Sequence, residues 1–178
     1  MSIIVDTKKR KLAQFFCFNP TNSYTIRELS RQTKISPTWV SKIVKELEKE
    51  QIVETKEDSN SLKVKSKRDT PFTRLKQILN LDKLYSSSII DKLIEIYHKP
   101  DAIILFGSYS RGEDTENSDI DIAVLTDRKQ VDESYAKHEK ELKRKLSIKV
   151  INSKNITKEF ALSLANGIVL YGYLEISL

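Results

Sequence analysis

The sequence predicts an α+β protein in two modules: a helical N-terminal module closed by a β-hairpin, and a C-terminal module built on a mixed sheet with flanking helices. Three observations carry this. Apolar residues recur at helical spacing in the first part of the chain, as in Val40, Ile43, Val44 and Leu47. Further on, the apolar run Ala102-Ile103-Ile104-Leu105-Phe106 stops at a glycine, and Asp119-Ile120-Asp121-Ile122-Ala123-Val124 alternates with period two, so both read as strands. Glycine and charge also divide the chain: all four glycines lie in the second half, while residues 1–85 carry a net charge of +8 and residues 86–178 one of −2. With 178 residues, each half is near the lower limit for an independent core.

The elements follow in order. Lys8 to Phe18 reads as a helix that stops before Asn19-Pro20. A second helix starts near Thr25, an N-cap three residues ahead of Glu28, and puts Ile26 and Leu29 on its core face. Ser36-Pro37, a cap followed by proline at the first helical position, opens a third helix through Glu50. Ile52 to Thr55 and Leu62 to Lys65 flank a polar turn at Asp58-Ser59-Asn60 and read as a hairpin. Thr70-Pro71 starts a helix through about Leu79, whose Phe72, Leu75, Ile78 and Leu79, continued by Leu84, are too apolar for a free linker. They point to packing on a neighbouring module or a second subunit. Ser86-Ser87-Ser88 caps a helix from Ile89 to Tyr97.

The chemistry is concentrated between Phe106 and Val124. Gly107 lets the backbone approach a phosphate closely, and the amides of Ser108 and Tyr109 at a helix start are donors for its oxygens. Asp119 and Asp121 share one face of their strand, where two like charges repel and folding alone gives no reason to place them. A divalent cation removes the conflict, and Mg²⁺ takes one or two carboxylates together with substrate phosphate oxygens. Arg111 either steadies a phosphate or pairs with Glu113 or Asp114 on the surface.

These residues resemble the signature of the DNA-polymerase-beta-like nucleotidyltransferase superfamily, in its minimal nucleotidyltransferase branch: glycine-serine, ten residues, then Asp-x-Asp, as from Gly107-Ser108 to Asp119 and Asp121. Phe160-Ala161 through Gly167 to Gly172 is similar to that family's closing helix and strand, so the likeness covers about the C-terminal half. It implies that Gly107 and Ser108 hold a nucleoside triphosphate, with ATP expected, and that Asp119 and Asp121 bind Mg²⁺ or Mn²⁺ as catalytic and metal residues. It also implies transfer of AMP to an acceptor hydroxyl. Members of this branch often act as antitoxins that modify a partner toxin, so a protein hydroxyl is the expected acceptor. The chain departs from the family at Ser147-Ile148-Lys149-Val150-Ile151, where the third acid's position is taken by Lys149. That residue is either a solvated sheet lysine or a cation in the site.

The N-terminal elements, over residues 8–68, resemble a winged helix-turn-helix. The resemblance implies duplex DNA as partner, read by Thr38, Trp39, Ser41, Lys42 and Lys45 on the helix from Ser36. Lys63, Lys65 and Lys67 then form a wing on phosphate or minor groove, unless they are only the charged guard of an exposed strand edge. The expected organisation is a winged helix-turn-helix over residues 1–69, a connecting helix over 70–85 and a nucleotidyltransferase domain over 86–178, assembled as a homodimer. The competing expectation is a regulator or antitoxin whose second domain only senses a nucleotide or supports dimerisation.

Composition bounds the rest. Cys17 is the only cysteine, which excludes an intrachain disulfide and a cysteine-based metal site. No apolar run approaches the length of a bilayer span or a signal peptide, so the expected location is the cytoplasm, with no membrane partner.

Overall fold

A computed structural model describes residues 7–58, 61–152 and 156–175. The chain divides into two compact units that part between Leu79 and Asn80. Ser59 and Asn60, expected at the hairpin tip, lie outside the described residues.

The N-terminal unit orders its elements as α1 (Lys8–Phe18), β1 (Ser23–Thr25), α2 (Ile26–Thr33), α3 (Pro37–Lys49), β2 (Val53–Asp58) and β3 (Ser61–Ser66). The ends of the helices have local causes. The Thr7 hydroxyl accepts from the Arg10 amide at 3.1 Å, and the Asn19 side chain donates to the Phe15 carbonyl at 2.8 Å where α1 stops. Thr25 and Glu28 cap α2 reciprocally: the Thr25 hydroxyl accepts from the Glu28 amide, and the Glu28 carboxylate accepts from the Thr25 amide at 2.7 Å. Ser36 sits at the start of α3 without a side-chain cap, and Pro37 sets the first helical φ.

The strands form an antiparallel sheet in the order β1-β3-β2, with Val64 opposite both Tyr24 and Thr55. Leu12, Phe16, Leu29, Val40, Val44, Leu47, Val53 and Val64 are buried in one core. The three-residue strand β1 is absent from the sequence reading, because it is too short to show a period and exists only through its pairing with β3.

Helix α4 runs Thr70–Ser86, past the end expected near Leu79, because Leu81 and Leu84 continue the apolar spacing and no breaker intervenes. Phe72 and Leu79 are buried in the N-terminal core and Leu84 in the C-terminal one, while Ile78 is exposed. The Ser87 hydroxyl, rather than Ser88, caps the next helix, accepting from the Ile89 amide at 3.4 Å while donating to the Leu84 carbonyl at 2.6 Å.

The C-terminal unit continues with α5 (Ile89–Ile96), β4 (Ala102–Phe106), α6 (Gly107–Arg111), β5 (Ile120–Leu125), α7 (Ala136–Leu142), β6 (Leu146–Ile151), α8 (Lys158–Ala165) and β7 (Ile168–Gly172). Its mixed sheet has the order β6-β5-β4-β7: β4 is antiparallel to both β5 and β7, and β5 is parallel to β6. Alternation sends Ile103, Leu105, Ile122 and Val124 into a core with Ile89, Leu93 and Leu142. Ala102, Ile104, Phe106, Ala123 and Leu125 face the other way, onto Leu164. Every residue of β4 is buried, and each of its large aliphatic side chains contributes about 1.5–3 kcal/mol of burial. The sheet is thus held from both faces, and that rigidity fixes what stands at the C-terminal end of β4. Gly172 closes β7 with φ of +72°, and a Cβ there would lie 2.0 Å from the Asp101 carbonyl oxygen, so only glycine fits the last pair.

Candidate functional site

Strand β4 hands the chain to Gly107, whose φ of +74° lies in the left-handed region. Phe106 pairs with Asp121 across the antiparallel ladder. The turn therefore folds down beside that carboxylate: a Cβ on Gly107 would stand 2.6 Å from Asp121 Oδ2. Ser108 then opens the single turn of α6, which the Ser110 hydroxyl braces by donating to the Gly107 carbonyl at 2.8 Å, and Gly112 ends it. Position 107 favours glycine for its backbone conformation, and any side chain there would have to push the Asp121 carboxylate aside.

Asp121 is half-buried, on the same face of β5 as Ala123 and Leu125. The strand begins at Ile120, so Asp119 stands one residue ahead of it, exposed, where alternation puts it on the face of Asp121. The approach to Asp119 is fixed by a tight turn in which Ser118 N donates to Thr115 O at 3.2 Å and Thr115 N to the Ser118 hydroxyl at 2.9 Å. Two carboxylates on one face beside a backbone turn with no side chain form a donor set for a hard divalent cation shared with phosphate oxygens. Among the described residues, no third His, Cys, Asp or Glu joins them in a group that could hold a metal ion.

Lys149 supplies a different charge on this face. It pairs with Ala123 in the parallel ladder between β5 and β6, as Ser147 does with Asp121. The small Ala123 side chain lets the lysine reach across β5, and its Nζ lies 5.5 Å from the Phe106 ring centre and 5.4 Å from that of Phe160. Those rings meet edge to face at 5.4 Å. A two-ring cage therefore holds the ammonium against the strand end that adjoins Asp121.

The comparisons bear on this half of the chain. Residues 88–175 match the family model of polymerase beta, nucleotidyltransferase. The match takes in all four strands of the C-terminal sheet, the Gly107 turn, Asp119, Asp121 and Lys149, so this unit of mixed α+β architecture is similar to that family. A structure of a point mutant of Lactococcus lactis ZitR aligns with 55% of this chain and 66% of its own chain at 15% identity, with a TM-score of 0.39, a likeness that carries no argument. No curated protein matches the chain.

Within the C-terminal unit, Arg111 pairs with Glu113 at 2.8 Å on the surface, the first of the two partners its sequence neighbourhood offered. Asp114, the other, is buried with Arg144 at 3.8 Å and accepts from the Asn80 amide at 2.8 Å, which also donates to the Tyr109 carbonyl at 3.0 Å. This internal pair ties the segment after α6 to the turn before β6. The sequence reading missed it, since nothing local marks Asp114 or Arg144 as inward-facing. Burial first, and then the neighbouring Asp114, push the Tyr109 hydroxyl far above its ordinary range.

Lys83 donates to the Leu142 carbonyl. Burial, with Arg144 and Lys143 nearby, pulls its ammonium down to about 8. Between that value and the ordinary lysine range, the unfolded chain binds more protons than the folded one, so stability rises with pH across that window. Urea denaturation at pH 8 and pH 10 is expected to show this rise, and Lys83→Met is expected to remove most of it. An unchanged slope in the variant would dissociate the effect from Lys83.

In the N-terminal unit, Thr38, Lys42 and Lys45 are exposed along α3 and Ser41 is half-buried. Trp39 is 45% exposed, with Lys8 Nζ at 4.6 Å and Lys42 Nζ at 5.1 Å from its ring. The hairpin lysines each face a carboxylate of the chain: Lys63 at 3.9 Å from Glu28, Lys65 at 3.0 Å from Glu54, and Lys67 at 3.4 Å from Asp69. Such partly exposed pairs are worth about 0–1 kcal/mol each.

Proposed function

We propose that this protein transfers a nucleoside monophosphate, AMP, from a Mg²⁺–nucleoside triphosphate to an acceptor hydroxyl on a partner protein, and that its N-terminal unit binds duplex DNA as a winged helix-turn-helix. The observation that carries the transferase reading is the Gly107 backbone pressed against the Asp121 carboxylate, with Asp119 two residues away. In this reading Gly107 and Ser108 hold the outer phosphates through their backbone, and Arg111 gives up Glu113 to steady them. Asp119 and Asp121 hold Mg²⁺ or Mn²⁺, which when bound withdraws charge from the phosphates and the departing pyrophosphate. The acceptor oxygen attacks the α-phosphorus in line as the bond to the pyrophosphate oxygen breaks, and the hydroxyl proton leaves to a carboxylate oxygen of the pair or to water. Incubation of the full chain with α-labelled ATP and the products of adjoining genes tests it, by label appearing on a protein band. The acceptor partner would be a toxin in a toxin–antitoxin pair, and a homodimer is the assembly we favour.

Lys149 favours a second reading, in which the domain binds a nucleotide or dimerises without turnover, as part of a regulator. Its ammonium rests on the Phe106 and Phe160 rings, on the strand where the family resemblance expects a third acid. Nucleotide binding with no label transfer to any acceptor would select it.

The DNA reading rests on the net charge of +8 in residues 1–85 and on the exposed face of α3. The full chain is expected to bind duplex DNA with an affinity that falls steeply as salt rises, because phosphate contacts release condensed counterions. Replacing Lys63, Lys65 and Lys67 by alanine is expected to weaken binding to every sequence and flatten the salt slope by roughly one unit per lost contact. Thr38 and Lys42 variants are expected to change sequence preference instead. Anisotropy titrations at several salt concentrations read both, and a salt-independent or undetectable interaction at low ionic strength overturns the DNA role.

A further inference from the structure

Beside Asp119 the C-terminal unit opens a groove of about 630 Å³, lined by Glu116, Asn117, Ser118 and Asp119 on one side and by the end of α7 with the turn Lys143–Lys145 on the other. Its walls are fixed from behind. Ile120 N donates to Lys145 O at 2.9 Å, the Glu139 carboxylate accepts from Leu146 N at 2.9 Å, and the buried Arg144–Asp114 pair anchors the turn. Lys143 ends α7 in the left-handed conformation at φ 56°. Lys140, Lys143 and Lys145 are exposed in this lining, and none of them forms an ion pair among the described residues. Three such lysines in one groove, ending at a carboxylate of the candidate site, make a seat for negative charge.

The rest of the lining selects the kind of polyanion. The groove has no aromatic side chain among its described lining, whereas single nucleic-acid strands are held by stacking bases on aromatic rings. Glu116 and Glu139 also lie in it. They repel a uniform phosphate backbone, whereas an acidic polypeptide can lay its carboxylates on the lysines and uncharged residues beside the glutamates. From this we propose that the groove docks an acidic segment of the acceptor protein, its carboxylates on Lys140, Lys143 and Lys145, so that a neighbouring hydroxyl is delivered to Asp119. The proposal rests on the transferase reading for the fate of that hydroxyl, but docking itself requires no nucleotide.

The test uses the full chain and a random copolymer of glutamate and tyrosine as probe, with a lysine–tyrosine copolymer and oligothymidylate for comparison. The wild-type chain is expected to bind the acidic copolymer in a salt-sensitive manner. Changing Lys140, Lys143 and Lys145 together to glutamine, which keeps exposed polar side chains of similar length, weakens it roughly tenfold. Changing them to glutamate weakens it further and strengthens binding of the lysine–tyrosine copolymer. Equal affinity in wild type and glutamine variant, no binding of the acidic copolymer at low salt, or a loss confined to oligothymidylate each overturns the proposal. If copolymer docking is lysine-dependent while Mg-ATP fails to bind, the groove stands and the transferase reading falls. Mg-ATP binding without lysine-dependent docking gives the reverse.

Discussion

Asp119→Asn combined with Asp121→Asn is expected to raise the dissociation constant for Mg-ATP by about a hundredfold. Each carboxylate is read as a charged ligand to the metal that bridges to the phosphates, and interactions of a charged group contribute about 1.5–3 kcal/mol apiece. At the lower end of that range the two together contribute about 3 kcal/mol, which is two decades in affinity. Asparagine keeps the shape of aspartate, so the variant still fits under Gly107, where Asp121 Oδ2 lies 2.6 Å from the position a Cβ would take. Loss of binding then reports on charge rather than on a displaced turn. Isothermal titration with and without EDTA measures it. Equal affinity in the two proteins, insensitive to chelation, leaves the carboxylates with no metal role.

Lys149→Asp is the second large change, and its expected sign is a gain. The ammonium above Phe106 and Phe160 lies on the strand next to that of Asp121, on the same face of the sheet, and opposes a cation bound at the carboxylates. Solvent around the exposed lysine screens part of the repulsion. Exchanging the cation for a carboxylate is expected to raise Mg²⁺ affinity by about tenfold or more and to raise label transfer with it. Lys149→Ala separates relief of repulsion from added ligation, since it delivers only the first. If metal titrations of both variants overlay the wild type, Lys149 has no influence on the pair.

Periodicity and punctuation made the frame readable. The glycine after Phe106, the alternation through Ile120, Ile122 and Val124, and the Thr25–Glu28 capping pair are local signals, and the structure places β4, β5 and α2 where those signals lie. The run past Leu79 misled because Ser86, Ser87 and Ser88 look like a cap from sequence, whereas the helix continues to Ser86 before the cap is made. Strand β1 was illegible for the opposite reason, having no signal apart from its partner β3.

In the candidate site, spacing marked Gly107, Asp119 and Asp121 within a short stretch of chain, while Lys149 was marked only by the family resemblance. The aromatic cage was not readable, because Phe106 and Phe160 lie far apart in sequence and meet only through the packing of α8 on the sheet. The internal Asp114–Arg144 pair and the depressed Lys83 ammonium belong to the same class of long-range facts.

The strand order β6-β5-β4-β7 has a consequence for synthesis of the chain. Helices α1 to α3, strands β1 to β3 and the first half of α4 come from one contiguous stretch, so that unit has all its partners once Leu79 has emerged. The second sheet does not. Strand β4, apolar along its whole length, gains β5 early but stays an open edge until Ile168–Gly172 arrives to cover its other side. Through that interval the nascent protein exposes a bare, β-prone apolar ribbon, the kind of surface that recruits chaperones or pairs with a neighbouring chain. The strand that closes this edge is the one made after all the others of its sheet.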